Sequence, residues 1–138
     1  MRYRNRTPAW MVWVLRLAAL YNFGWAVFMV ALPHAWWDWL GLVRPNYEFL
    51  WPGMGALIGF LGLGYLIAST DPASHRGLVY VGLGTKVLGF VGVLQNVYVM
   101  KIMPEAFAAA AIVNDLIWIV PIFLIARHGW IESGRCGV

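Results

Sequence analysis

Charge is scarce in this sequence. Lys, Arg, Asp and Glu make up 12% of the 138 residues, about half the roughly 25% usual in soluble domains. Cysteine is nearly absent. The lone Cys136 cannot form an intrachain disulfide, belongs to no Cys-x-x-Cys redox pair, and stands third from the end rather than in a prenylation box. No second His or Cys stands at ligand spacing from His34, which excludes a conventional zinc quartet. A Ser/His/Asp constellation and a phosphate-cradling glycine loop are missing as well.

What replaces charge is hydrophobicity. Apolar residues account for 62% of the chain and the mean hydropathy is +0.69. They fall in four blocks, at about 9–32, 49–68, 77–100 and 106–126. Each reaches the ~20 residues that cross a ~30 Å hydrocarbon core. Backbone groups in lipid must be satisfied within their own segment, so the blocks are expected to be helices. The sequence thus predicts one all-α domain, an integral membrane bundle of four transmembrane helices. The lipid bilayer is its first partner.

The connections are equally informative. The basic start Arg2, Arg4 and Arg6 invites a signal-peptide reading, but the following stretch is too long for an h-region and includes Arg16, Tyr21 and Asn22. It is expected to remain as a first helix. Arg16 can snorkel towards the interface beside Trp10 and Trp13. Residues 33–42 hold three tryptophans in four positions between Pro33 and Gly41. They predict a short interfacial helix, either an aromatic anchor or a lid over an opening into the bundle. The 49–68 block carries Gly55, Gly59 and Gly62 on one face, a pattern for close helix packing or for a partner. Residues 69–76 form a polar loop in which Ser74 is expected to cap the next helix. The short link around Pro104 makes the last two spans adjacent and antiparallel, and the stretch from Arg127 onward is expected to be a loose tail.

Counting Lys and Arg sets an expected orientation. One side would hold Arg2, Arg4, Arg6, Arg76, Arg127 and Arg135, the other only Arg44 and Lys101. The positive-inside rule then places both termini in the cytoplasm. Topology accounts for the net charge of +4 and the pI near 9.6, so nucleic acid is not an expected partner. The basic start suits anionic headgroups instead.

Two charges remain inside the membrane. Lys86 and Asp115 each lie about ten residues into their spans, near ~15 Å depth at ~1.5 Å per residue. An unpaired charge there costs at least ~2.5 kcal/mol, so the two are expected to meet. Gly82, Lys86, Gly89, Val93 and Asn96 fall on one helical stripe, and Ala108, Ala111, Asp115, Trp118 and Ile122 on another. Two readings stand side by side. The pair can be a structural ion pair completed by Asn114, or the polar end of a ligand-binding or titratable site. On the second reading Lys86, Asp115 and Asn22 anchor a ligand, with Asn114 and Asn96 nearby and Trp25, Trp118, Phe90 and Tyr21 as apolar walls. An isomerase needing only an acid and a base could use the same two charges.

The run from Pro33 through Leu40-Gly41-Leu42, Pro45 and Glu48 to Leu61-Gly62-Leu63-Gly64-Tyr65-Leu66 resembles the DoxX-like superfamily of small bacterial four-helix membrane proteins. That resemblance implies an inner-membrane bundle, sometimes associated with quinone or thiol redox systems, and it supplies no catalytic residues. The type of pocket is also similar to that of sterol-binding or sterol-isomerising four-helix membrane proteins. The expected function is therefore binding of a lipid-like or quinone-like ligand. The alternatives are an accessory subunit of a larger membrane complex or a small proton-coupled transporter, acting as a homodimer.

Overall fold

The computed structural model describes residues 7–135, so Arg2, Arg4, Arg6 and Cys136 lie outside the described residues. All of its regular structure is helical, as the apolar blocks predict. Helix α1 spans Ala9–Ala31, α2 Ala35–Trp39, α3 Leu50–Ala68 and α4 Arg76–Leu94. A π-helical segment, Gln95–Val99, continues α4. Helix α5, Ala106–Ala111, passes through a second π segment, Ile112–Leu116, into α6, Ile117–Arg135. Four of the resulting rods are long and apolar enough to cross a membrane: Ala9–Ala31, Leu50–Ala68, Arg76–Val99 and Ala106–Glu132.

Backbone proximity sets the α1–α3 pair. A Cβ added at Gly55 would stand 2.7 Å from the Met29 Cβ, and one added at Gly59 3.1 Å from the Ala26 Cβ. One at Gly62 would lie 3.1 Å from both the Ala19 carbonyl and the Asn22 Cβ. The glycine face of α3 is therefore filled by α1 of the same chain. A partner protein would have to dock elsewhere.

The bundle is tight at one end and open at the other. Near the 69–75 loop, the Tyr65 ring lies over Gly82 of α4 so closely that an added Cβ would overlap it. Leu15, Ala18, Ala19, Val79, Ile122 and Ile125 close the core around Tyr65. Towards the opposite end a cavity opens between α3 and α5.

Two expectations about helix ends are corrected. Ser74 does not cap α4, whose N-cap His75 makes no side-chain capping bond. Instead the Asp71 carboxylate accepts from the Ser74 hydroxyl (2.7 Å) and the Ser74 backbone N–H (3.2 Å), closing the turn within the loop. Those hydrogen bonds, the hydroxyl first, hold the Asp71 carboxyl below the usual carboxylate range. The stretch after Ala126 is helical to Arg135 rather than loose. Gly129 allows a close approach there: an added Cβ would lie 3.2 Å from the Arg76 Cβ and 3.7 Å from the Pro72 carbonyl.

Arg16 behaves as its position near two tryptophans predicts. Its guanidinium lies 5.4 Å from the Trp13 ring centroid, directed back along α1 towards the end of the span.

Candidate functional site

The two intramembrane charges meet. Lys86 Nζ stands 3.3 Å from Asp115 Oδ1, and both residues are buried, at 5% and 7% exposure. Helix α4 carries Lys86 on the same face as Gly82 and Gly89. Gly89 makes room for the carboxylate, since an added Cβ would lie 3.2 Å from Asp115 Oδ2.

The facing segment is not a regular helix. Asn114 and Asp115 lie within the π segment Ile112–Leu116, where the Ile117 N–H reaches back five residues to the Ile112 carbonyl. A wide turn loosens the i→i+4 ladder and exposes carbonyls to other donors. Lys86 uses this, donating from Nζ to the Asn114 carbonyl at 2.7 Å. The Asn114 side-chain amide donates to Asp115 Oδ1 at 3.2 Å. Pro121 sits one turn further along, where it lacks an N–H for the Ile117 carbonyl. The midplane of this span thus offers irregular backbone to a buried ammonium.

The second oxygen of Asp115 has a different role. Among the described residues no donor reaches Oδ2, and Asp115 is the only charged residue lining a cavity of about 1160 Å³. Asp115 and Asn114 form its deep end, with Ala110, Ala111 and Val93 beside them. The walls above are Met29, Met54, Ile58, Trp51 and Phe107, and Trp36, Trp37 and residues 41–43, 45–47 and 102–104 surround the mouth. This combination, apolar walls with few convergent polar groups, is the usual make-up of a small-molecule site.

Helix α2 lies across the mouth. The Trp37 ring packs on Trp51 at 5.2 Å and on Phe107 at 5.5 Å, and Trp36 packs on Trp25 at 5.5 Å. These rings tie α2 to α1, α3 and α5. After α2 the chain reverses through Gly41 at φ +62°, and Arg44 then grips the Asp38 carboxylate with two nitrogens at 2.9–3.1 Å. The tryptophan segment predicted at 33–42 is thus a short helix that also covers an opening.

The residues expected to form a site fall into two groups. Asp115, Asn114 and Trp25 line the cavity. Lys86 stands behind Asp115, outside the lining. Asn22 is buried against Gly62, and neither its Nδ2 nor its Oδ1 finds a partner. Trp118 packs on Tyr21 with ring centroids 5.5 Å apart and borders the core rather than the cavity. Asn96 donates to its own helix at the Gly92 carbonyl, 2.7 Å away, because the π segment turns Val97 inward instead. Phe90 is absent from the lining too. Trp51, Phe107, Met54 and Ile58 were not anticipated. The available signal is Trp51, an aromatic near the start of the second apolar block.

No protein-family model, curated protein or solved structure matches this chain. Its function must be argued from the site. Among the described residues no group of three His, Cys, Asp or Glu side chains could hold a metal ion.

Proposed function

We propose that this protein binds a long, mostly apolar molecule, of lipid-like or quinone-like kind, in the cavity beneath α2. The observation that carries this reading is the cavity itself. At about 1160 Å³ it slightly exceeds the usual range for small-molecule sites, roughly 300–1,000 Å³. It is walled by Trp, Phe, Met and Ile, and it ends on the buried Asp115 and the half-buried Asn114. A midplane carboxylate facing a cavity is the pattern of a functional group rather than a packing device.

The same reading includes a place in the cell. The Lys and Arg bias supports an inner-membrane protein with both termini in the cytoplasm and the tryptophan-covered mouth at the outer face. Membership of the DoxX-like superfamily agrees with the four-span layout and is part of the proposal. The accessory-subunit reading loses its main feature, since α1 occupies the glycine face of α3.

Native mass spectrometry of the gently solubilised chain tests the binding reading. Wild type is expected to retain a lipid-sized adduct. Ala110→Trp, which places an indole in the cavity, is expected to lose it while keeping its helical circular dichroism. An Ala110→Trp protein that retains the same adduct would remove the cavity from the account.

A further inference from the structure

We infer that the ligand seated in this cavity presents an O–H donor, not an anionic or acceptor-only group, to Asp115. This rests on the binding reading above and names the chemistry of the molecule's polar end.

The two carboxylate oxygens of Asp115 are not equivalent. Lys86 Nζ, 3.3 Å away, and the Asn114 amide, 3.2 Å away, both approach Oδ1. Two donors converging on one oxygen is the arrangement of an acceptor carboxylate. Lys86 spends a further proton on the Asn114 carbonyl and does not reach the cavity wall. Oδ2 lies on the Gly89 side and receives no hydrogen bond from the described residues, and Asp115 is part of the cavity lining. The cavity therefore offers an acceptor at its base.

Charge narrows the class further. Among the described residues no cationic side chain lines the cavity, so a carboxylate or phosphate head would be desolvated against Asp115 with none of them to compensate it. The Lys86–Asp115 pair is neutral as a unit, so a ligand cation is not required either. An oxidised quinone, whose head only accepts, would set oxygen against oxygen. A hydroxyl answers the site, because it donates a charge-assisted hydrogen bond to the Asp115 carboxylate. Its source is either a long-chain alcohol or the reduced, hydroquinone form of a quinone.

Tryptophan fluorescence separates these possibilities, because Trp25, Trp36, Trp37 and Trp51 line the cavity. The full chain in nanodiscs is titrated with chain-brominated quenchers: a long-chain alkanol, its methyl ether, the matching carboxylate, and a long-chain hydroquinone with its quinone. A hydroxyl probe is expected to bind at least tenfold tighter than its non-donating partner, alkanol over ether or hydroquinone over quinone. The carboxylate is expected to bind weakest. Whichever hydroxyl binds tighter identifies the source. In Lys86→Met/Asp115→Leu, which removes both charges together, the preference is expected to vanish while quenching persists. Equal affinity of each hydroxyl probe and its partner in wild type would overturn the inference and leave the cavity reading intact. Absence of specific quenching by every probe would overturn both.

Discussion

At the scale of single residues, the fold depends on one charge being answered by another. Lys86 and Asp115 are buried at similar depth, and each leaves an uncompensated charge if the other is removed. Lys86→Met alone is expected to cost about 3–5 kcal/mol, while Lys86→Met/Asp115→Leu should recover most of that loss. Unfolding in mixed micelles measures the cycle. A double variant no better than the worse single one would contradict a direct pair. That these two side chains meet could be read from depth alone, because a midplane charge has few alternatives. That Asp115 and not Lys86 lines a cavity could not, because that depends on the π segment, whose turn leaves no mark in the apolar pattern. Asn22 illustrates the same gap from the other side. Its polarity suggested a place beside the pair, yet close packing on Gly62 holds it against α3.

At the scale of elements, glycine decides which helices touch. Gly82 receives the Tyr65 ring, and an added methyl would overlap it. Gly82→Ala is accordingly expected to destabilise the bundle by about 1–3 kcal/mol, whereas Gly84→Ala, with open space at its Cβ, should be near neutral. Comparing their thermal denaturation in detergent checks the contrast, and equal behaviour would refute the close α3–α4 contact. The span boundaries followed from hydrophobic length, which is why Leu50–Ala68 and Arg76–Val99 lie within a residue of the expected limits. The end of α6 did not follow. Residues after Ala126 are mostly polar, and the close approach of Gly129 to the 69–75 loop and Arg76 is a tertiary contact that the apolar pattern does not record.

At the scale of the whole molecule, the bundle is closed around Tyr65 and open beneath α2. Helices α1 and α3 run together along their small-residue faces, while α3 and α5 stand apart across the cavity. The Lys and Arg bias predicts which end faces the cytoplasm. In a Cys136→Ser background, Val43→Cys should react with a membrane-impermeant maleimide in intact cells, and Ser74→Cys only after permeabilisation. The reverse pattern would invert the topology. Four spans and their order were plain from composition. The cavity was not, since it arises where helices diverge, and no single stretch of sequence records a divergence.

The most direct test of a ligand ending on Asp115 is photolabelling. A long-chain alcohol with a diazirine beside its hydroxyl, activated on the membrane-embedded protein, is mapped by tandem mass spectrometry. The account predicts labelling concentrated at Asp115 and its neighbours Ala110, Ala111 and Asn114, and lost in Ala110→Trp. Labelling confined to lipid-facing residues such as Leu57 and Phe60, and unchanged by Ala110→Trp, would contradict it.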